Sequence, residues 1–281
     1  MEMQNKYVLE KPFSAWFKRK GWEPYDYQLE LIERSHQFSH DLLIAPTGGG
    51  KTLAGFLPTL IDLRRSPVQT LHTVYISPLK ALTKDVARNL KAPIDEMNLP
   101  IQIDTRTGDT SSYRRKAQTK NPPQILLTTP ESFALLLSYP DAKNMMDLIS
   151  TVIIDEIHAI INSKRGDQLS LCLARLQHFN PNVRRIGLSA TVSDTDHVSK
   201  WIAPVHQQKL VRTILATPGP TPEISILKTK KAPPLLGHSG QYALPELIEE
   251  IKRSQTTLIF VNTRAQAEIM FQDLWKINDE Y

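Results

Sequence analysis

The chain has 281 residues, a length that suits one large domain or two modest ones. Its 34 Lys and Arg stand against 29 Asp and Glu, a formal net charge of +5, and 41% of the residues are hydrophobic. This composition supports a globular core and excludes wholesale disorder. A single cysteine, Cys172, excludes an internal disulfide and a multi-cysteine zinc site. No apolar run approaches the ~20 residues that cross a bilayer, and the polar amino terminus lacks a signal segment, so we predict a cytoplasmic protein with no membrane partner.

From Leu42 onward, short apolar runs alternate with segments of helical spacing. Buried parallel strands have this pattern because helices cover both faces of their sheet. The alternation predicts a doubly wound parallel α/β sheet. Pro58 is expected to kink the helix that follows Lys51, since proline removes a backbone donor. The predicted strands are Leu42–Ala45, Thr73–Ser77, Ile101–Asp104, Gln124–Thr128, Thr151–Asp155 and Arg185–Ser189.

The pattern changes near Pro204. Residues 217–240 contain five prolines and three glycines, a density that cannot continue a helix or a central strand. We predict a first domain over 1–212, a connector over 213–243, and regular structure again over 244–281. There, Leu244–Ile251 and Arg264–Ile277 have helical spacing, and Thr256–Val261 is typical of a buried strand. The ~40 remaining residues cannot close an α/β domain, which predicts only the start of a second one.

A glycine-rich segment joins the first predicted strand to the next helix. Three consecutive glycines let the backbone wrap tightly and direct N–H groups inward at a helix N-terminus, where the dipole favours anions. In such a loop the lysine reaches the terminal phosphates of ATP, and the following hydroxyl ligates Mg²⁺. The strict pattern begins with Gly where this chain has Ala, and the alternative is a plain glycine turn. The segment is Ala45-Pro46-Thr47-Gly48-Gly49-Gly50-Lys51-Thr52.

Two carboxylates, Asp155 and Glu156, end the strand predicted at 151–155. The carboxyl ends of parallel strands share one sheet edge, where ligands bind, so Asp155 would face the phosphate loop and hold Mg²⁺. Glu156 would orient or deprotonate an attacking water. A solvated acidic turn is the common alternative, but its pairing with the loop favours a nucleotide site. His158 is either structural or a link from the nucleotide to neighbouring elements.

Two further segments have open interpretations. The hydroxyls of Ser189-Ala190-Thr191 would bond the acidic segment and sense the γ-phosphate, or they cap the helix that leads into Asp194. Gln28 precedes the phosphate loop and follows two tyrosines. Its amide would donate to and accept from adenine beside a stacking aromatic ring, or it is an exposed helix residue.

Three more strand ends offer hydroxyls, backbone amides and cations in place of acids: Ser77–Lys80, Arg106–Asp109 and Thr128–Glu131. Such groups hold phosphodiester backbones without reading bases. Each signal is weak alone, because Ser-Pro and Thr-Pro also start helices. Three of them on one sheet edge favour a nucleic-acid contact. Other basic groups, such as 114–116, are interpreted as solvated faces.

Taken in order, these segments resemble the superfamily 2 DExH-box helicases. The match includes Ala45–Thr52, Tyr75–Leu82, Thr128–Ser132, Asp155–His158, Ser189–Thr191 and Leu258–Arg264. Within the superfamily the chain is similar to the long helicase-related group, specifically to the bacterial ligase-associated DExH-box type. This finer resemblance rests on Trp16-Phe17 with Gly21-Trp22, on Thr105–Thr110, on Ser163–Asp167 and on Gly237–Ser239.

The resemblance implies an ATP-dependent motor that moves 3′→5′ on single-stranded DNA in DNA repair, with a DNA ligase and a nuclease as partners. It implies two RecA-like domains with ATP between them. Lys51, Thr52, Asp155 and Glu156 would carry ATP binding and hydrolysis, Gln28 would read adenine, and Ser189 with Thr191 would couple nucleotide state to strand grip. The implied nucleic-acid contacts are Pro78, Lys80, Arg106, Gly108, Thr129, Pro130, Asn262, Thr263 and Arg264.

The chain departs from this family in length. A second RecA-like domain should supply an arginine that stabilises the transferring phosphoryl group, worth about 10³ to 10⁵ in rate. We therefore expect this polypeptide to bind ATP·Mg²⁺ weakly, to hydrolyse it poorly and not to unwind a duplex. Two alternatives stay open: a non-catalytic, nucleotide-dependent binding module, and an RNA rather than a DNA helicase. A kinase or transporter ATPase is disfavoured, because neither is expected to combine Asp155–His158 with Ser189–Thr191.

Overall fold

The computed structural model describes residues 8–35, 37, 39–204, 206–207, 211–217, 221–232 and 240–277. The chain divides into two compact units, residues 1–219 and 220–281. The division falls inside the segment predicted as a connector. Several connector residues singled out in the sequence, among them Gly237–Ser239, lie outside the described residues. No helix in the described part of the chain is long and apolar enough to cross a bilayer.

The first unit contains a seven-stranded parallel sheet, as the sequence predicts, with strand order β3-β4-β2-β5-β6-β1-β7. The predicted strands appear with their ends shifted by up to two residues. One further strand, β7, was not predicted and pairs with β1 at the edge of the sheet. The strands are β1 His40–Ile44, β2 Thr73–Ile76, β3 Ile103–Arg106, β4 Ile125–Thr128, β5 Thr151–Ile154, β6 Arg184–Ser189 and β7 Val211–Leu215.

Helices connect these strands on both faces of the sheet. The helix after the glycine-rich segment continues through Pro58 from Lys51 to Arg65. A short 3₁₀ turn, Ile157–Ala159, follows β5. The helices of the first unit are α1 Phe13–Lys20, α2 Asp26–Arg34, α3 Lys51–Arg65, α4 Lys80–Glu96, α5 Ser112–Lys120, α6 Pro130–Leu137, α7 Ala142–Met146, α8 Lys164–Phe179 and α9 Thr195–Ile202.

The strands are buried on both faces. Successive side chains point to opposite sides of the sheet, and helices cover each side. In β1, Leu42 packs in one hydrophobic cluster and Leu43 in the other. One cluster joins the sheet to residues of α1, α2, α3 and α4, and the second joins it to α6, α7, α8 and α9. Covering both faces in this way leaves the strand ends as the places where polar side chains meet solvent.

A buried ionic network fixes β1, the strand that leads into the phosphate loop. The Asp41 side chain is fully buried and accepts from Arg34 Nε at 2.5 Å and from Arg184 Nη2 at 2.7 Å. Arg184 also donates to Leu31 O at 3.2 Å. The network therefore ties α2, β1 and β6 together. Removing one partner of such a network costs about 3 to 5 kcal/mol, because a charge stays buried without its counterpart.

The second unit contains a 3₁₀ turn, Gln241–Ala243, and the two predicted helices, α10 Leu244–Arg253 and α11 Arg264–Ile277. The strand predicted at Thr256–Val261 was wrong: the segment has no strand pairing, and Leu258 and Phe260 are 77% and 90% exposed. A parallel strand needs a neighbour to satisfy its backbone groups, and none of the described residues of this unit supplies one.

Candidate nucleotide site and strand-end loops

The phosphate loop lies between β1 and α3 and depends on its glycines. Gly48 and Gly50 have φ of +80° and +73°, in the left-handed region that disfavours a side chain. A Cβ on Gly49 would lie 3.0 Å from Pro46 O. Gly50 caps α3, whose first residue is Lys51. The backbone therefore forms an anion cradle at a helix N-terminus, where the helix dipole favours phosphate.

Two side chains of α2 hold this loop from behind. The Tyr27 hydroxyl donates to Gly49 O, and Gln28 Nε2 donates to Gly50 O at 3.3 Å. Gln28 Oε1 also accepts from the backbone N–H of Tyr25 at 3.0 Å. Gln28 is 2% exposed, so it is not the exposed helix residue that was the alternative interpretation. The rings of Tyr25 and Tyr27 stack with centroids 5.1 Å apart, which leaves the exposed Tyr25 ring beside the loop.

Asp155 follows β5 and is held on both carboxylate oxygens. The Tyr75 hydroxyl, from the middle of β2, donates to Oδ2, and the backbone N–H of Glu156 donates to Oδ1 at 2.8 Å. Burial raises the pKa of Asp155, and the hydrogen bond from Tyr75 and the positive charge of Lys51 oppose this rise. Burial and the nearby carboxylate also raise the pKa of Tyr75, which keeps its hydroxyl a donor.

Lys51 and Asp155 lie just beyond strands that end at one edge of the sheet. Their strands, β1 and β5, flank β6 on either side and run parallel to it, so their carboxyl ends open together. Lys51 itself is 6% exposed. A common phosphate and metal site requires both groups at this edge, and its assignment to Lys51 and Asp155 stays a prediction. This is the geometric condition on which the nucleotide interpretation depends.

The donor set fits Mg²⁺ better than a protein-only metal centre. Among the described residues no three His, Cys, Asp or Glu side chains cluster as metal ligands. Mg²⁺ typically takes one or two protein ligands and completes its shell with phosphate oxygens and water. Asp155 and the Thr52 hydroxyl, in the first turn of α3, are the residues that would hold it.

The Asp155–His158 segment is strained and hydrogen-bonded to the end of β6. Glu156 has φ of +48°, a left-handed conformation that costs a residue with a side chain about 1 to 2 kcal/mol. His158 Nδ1 lies 2.8 Å from Ser189 Oγ and 3.5 Å from a Glu156 carboxylate oxygen. Ser189 Oγ donates to Thr191 O at 2.9 Å, so it accepts from a protonated Nδ1 of His158.

This contact distinguishes the two interpretations of Ser189–Thr191. The helix that follows is capped by Asp194, whose side chain accepts from the His197 N–H at 2.9 Å. The hydroxyl of Ser189 instead contacts the His158 ring, which follows the two carboxylates in the same segment. The arrangement connects β5 and β6 through side chains at their ends.

The three strand ends predicted to hold nucleic acid also share an edge, because β3, β4 and β2 are neighbours in the sheet. Lys80 is exposed and donates to Asp109 at 2.7 Å, close to Gly108, where a Cβ would lie 3.1 Å from its Nζ. The other predicted contacts of this half are buried. They are Pro78, Arg106, Thr129 and Pro130.

The buried members of this set make structural contacts. The Thr128 hydroxyl donates to Arg106 O at 2.7 Å, and the Thr129 hydroxyl lies 3.3 Å from Ser132 Oγ. The Arg106 side chain is 1% exposed, points away from solvent and lies over the Tyr139 ring, 5.3 Å from its centroid. Contacts of these residues with a strand on the surface stay predictions.

Sequence analysis missed two residues that join these loops. Arg165 Nη2, in α8, donates to Pro78 O at 2.7 Å and lies 3.2 Å from a Glu131 carboxylate oxygen. Tyr75 connects β2 to Asp155. A tyrosine inside an otherwise aliphatic buried strand is a signal for such a contact, since its hydroxyl needs a partner. Arg165 lies in Ser163–Asp167, a segment that carries the family resemblance, but the sequence assigned it no contact.

In the second unit, Asn262, Thr263 and Arg264 begin α11. The Thr263 hydroxyl accepts from the Gln266 N–H at 3.2 Å, and the Gln266 side chain accepts from the Asn262 N–H at 3.1 Å. Thr263 therefore caps α11, and the Gln266 side chain satisfies the N–H of the residue before that cap. Arg264 is exposed. A nucleic-acid role for these three residues stays a prediction.

Comparison with known proteins gives a consistent set of similarities. A family model described as DEAD/DEAH box helicase matches residues 25–198. The ATP-dependent helicase Lhr-Core protein 2 of Thermococcus barophilus is 33% identical over 98% of this chain and 34% of its own length. The ATP-dependent helicase Lhr-Core of Methanocaldococcus jannaschii is 38% identical over 93% of this chain and 33% of its own length.

A solved structure of a helicase is also similar to this chain. The helicase Lhr of Mycobacterium smegmatis, bound to single-stranded DNA and AMP-PNP, superposes with a TM-score of 0.78 and 31% identity over 95% of this chain and 36% of that chain. The present chain spans about a third of the length of these relatives.

Proposed function

Because the chain belongs to the DEAD/DEAH box helicase family, we propose that it binds ATP with Mg²⁺ and single-stranded DNA and carries the hydrolytic residues of an ATP-driven motor. By itself this polypeptide is proposed to hydrolyse ATP poorly and not to unwind a duplex. The observation that carries this proposal is a shared sheet edge. There β1 leads into a loop with left-handed Gly48 and Gly50, and β5 leads into Asp155, which is held on both carboxylate oxygens. The Lhr helicase of M. smegmatis holds single-stranded DNA and AMP-PNP in its structure, which motivates the choice of both ligands.

In the proposed site, the backbone N–H groups of the glycine loop and the Lys51 ammonium bind the phosphates. Asp155 and Thr52 hold Mg²⁺, which when bound neutralises charge on the phosphate oxygens. Tyr75 keeps the Asp155 carboxylate in one orientation. Gln28 supports Gly50 from behind and, beside the exposed Tyr25 ring, is proposed to read adenine.

Hydrolysis is assigned to Glu156. Its left-handed backbone is held by the hydrogen bond from its own N–H to Asp155, so the side chain projects from a fixed point next to the metal ligand. There it orients or deprotonates the attacking water. His158, bonded to Ser189, passes changes at this point to β6 and Thr191. We propose that this link couples the state of the bound nucleotide to the affinity for the nucleic-acid strand.

The nucleic-acid strand is assigned to the half of the edge formed by β3, β4 and β2. Lys80 and the loop around Gly108 supply an exposed cation and backbone amides, which hold phosphates without reading bases. Translocation 3′→5′, a role in DNA repair with a DNA ligase and a nuclease, and a cytoplasmic location are proposals that follow the ligase-associated resemblance. An RNA strand is the alternative substrate, since phosphate contacts do not distinguish the two polymers.

The test compares Glu156→Gln with the unchanged chain. Fluorescent ATP binding and single-turnover hydrolysis are measured with and without a single-stranded oligonucleotide. A motor predicts that the variant binds ATP normally and loses hydrolysis and its stimulation by DNA. A non-catalytic binding module predicts nucleotide-dependent DNA affinity that the substitution leaves unchanged. Absence of Mg²⁺-dependent ATP binding in the unchanged chain would refute both.

A further inference from the structure

A second pocket lies between α5 and the turn that joins α6 to α7. Its volume is about 840 Å³. None of its lining residues belongs to the phosphate loop or to the Asp155–His158 segment. It is therefore separate from the proposed nucleotide site, although Arg106, at the end of β3, reaches it from the same edge of the sheet.

Each of two guanidinium groups at this pocket has one buried nitrogen without an acceptor among the described residues. Arg106 Nη1 donates to Arg115 O at 3.2 Å, while Arg106 Nη2 has no partner of good geometry. Burial lowers the pKa of Arg106, and Tyr139 opposes this shift. Arg115 Nη2 donates to Thr107 O and Gly108 O at 3.2 and 3.0 Å, while its buried Nε has no partner. Buried charged donors are costly unless an acceptor satisfies them.

The charge of the lining indicates which acceptor fits. Lys116 and Lys120 are exposed and, being four residues apart, lie on one face of α5 together with Arg115. Four cations thus face one carboxylate, that of Asp141. A group with several anionic oxygens satisfies more than one guanidinium donor, and phosphate is such a group.

We propose that this pocket binds a phosphate of the single-stranded nucleic acid, as a site beside the strand-end loops. Arg115 connects the pocket to the Thr107–Gly108 loop through its two hydrogen bonds to backbone carbonyls. Lys80 Nζ, from α4, lies next to Gly108 of the same loop. A strand held at Lys80 therefore has a second cationic site next to it. This assignment rests on the proposed function.

Lysine footprinting tests the proposal on the unchanged protein. Acetylation of each lysine is followed by mass spectrometry at low salt, alone and with a single-stranded oligonucleotide, with pyrophosphate, or with ATP·Mg²⁺. We expect the oligonucleotide to slow acetylation of Lys116 and Lys120 about threefold or more, since a bound phosphate occludes the ammonium groups. The exposed Lys91 and Lys200 serve as internal controls and should not change.

A charge-matched pair of variants extends the test. Lys116→Gln with Lys120→Gln should weaken oligonucleotide binding about threefold to tenfold at low salt and reduce the slope of log affinity against log salt by about 1.4, for two phosphate contacts. Lys91→Gln with Lys200→Gln removes the same charge elsewhere and should leave the slope unchanged.

The possible failures are distinct. An oligonucleotide that binds without protecting Lys116 and Lys120, and with equal effects of the two variant pairs, overturns the pocket and leaves the proposed function intact. Protection by pyrophosphate alone assigns the pocket to a free phosphate compound and overturns its assignment to a strand. If ATP·Mg²⁺ protects Lys51 but no oligonucleotide binds, the nucleic-acid part of the proposed function fails together with the pocket.

Discussion

The two halves of the sheet edge are built differently. The half formed by β5, β6 and β1 holds buried or partly buried charges that are fixed by specific hydrogen bonds, such as those on Asp155. In the half formed by β3, β4 and β2, the charged side chains at the surface form an exposed ion pair, Lys80 with Asp109.

This difference has consequences for function. Interactions of buried charges are weakly screened, depend on geometry and change greatly when one partner is lost. Exposed pairs are worth about 0 to 1 kcal/mol and are screened by salt. The half formed by β5, β6 and β1 therefore suits ATP chemistry, which needs fixed side-chain positions. The half formed by β3, β4 and β2 suits a nucleic-acid strand that binds and dissociates repeatedly. The predictions below test this contrast from the largest effect to the smallest.

The largest effect is expected for Glu156→Gln in the nucleotide half. Hydrolysis should fall by about 10² to 10⁴, the usual contribution of a general base, while the affinity for ATP changes little. Single-turnover hydrolysis and equilibrium binding, measured on the same preparation, separate the two quantities. Equal loss of binding and hydrolysis would contradict the assigned role.

Gly50→Ala should weaken ATP binding about tenfold. The left-handed φ of +73° disfavours alanine by about 1 to 2 kcal/mol, and the new Cβ would lie 3.0 Å from Gln28 Nε2. Gly21→Ala is the matched control, because Gly21 has φ of +67° but nothing within 4 Å of the added atom. Both variants should lose similar thermal stability, and only Gly50→Ala should lose affinity for ATP. Equal ATP affinities would refute a phosphate cradle at Gly50.

Tyr75→Phe should change the pH dependence of Mg²⁺-supported ATP binding. Tyr75 lowers the pKa of Asp155, so its removal raises that pKa further. Asp155 must be ionised to hold Mg²⁺, and binding is lost as the pH falls through its pKa. The acid limb of the pH profile should therefore move to higher pH. Tyr113→Phe, at an 84% exposed position, should leave the profile unchanged, and an unchanged profile in Tyr75→Phe would contradict the account.

Lys80→Gln should have the smallest effect. Its pair with Asp109 is exposed and screened by water, so no measurable change in unfolding free energy is expected. Affinity for single-stranded DNA should fall a few-fold at low salt, and the salt slope should decrease by about 0.7. Arg88→Gln removes a comparable exposed cation, paired with Asp85, and serves as the control. A loss that persists at high salt would indicate that this half is not screened as proposed.

Much of the fold and the family followed from local sequence patterns. The apolar runs predicted the positions of β1 to β6 along the chain. The glycine loop with Asp155–His158 indicated the helicase superfamily, which the family model confirms. The finer resemblance to the long helicase-related group, based on segments such as Thr105–Thr110 and Ser163–Asp167, agrees with the similarity to Lhr-Core helicases. Strand β7 was missed because Val211–Leu215 is only partly buried and adjoins a proline-rich segment. The strand predicted at Thr256–Val261 matched a local pattern, but strands also need pairing partners.

Local sequence patterns do not predict contacts that depend on the order of the strands in the sheet. Tyr75 and Asp155 are 80 residues apart and meet only because β2 and β5 are neighbours. Arg106 was interpreted as a surface contact, since arginine at a strand end usually reaches solvent. Its burial follows from the position of Tyr139 and α5, which no local pattern specifies.

A double-mutant cycle on Lys51→Met and Asp155→Asn tests the central claim most directly. ATP affinity is measured with and without Mg²⁺ in the unchanged chain, in both single variants and in the double variant. If both side chains bind the same Mg²⁺-ATP, Asp155→Asn removes the Mg²⁺ dependence of ATP affinity, and the affinity losses of the two single variants are strongly non-additive. Additive losses, together with Mg²⁺ dependence that survives in Asp155→Asn, would contradict a shared site.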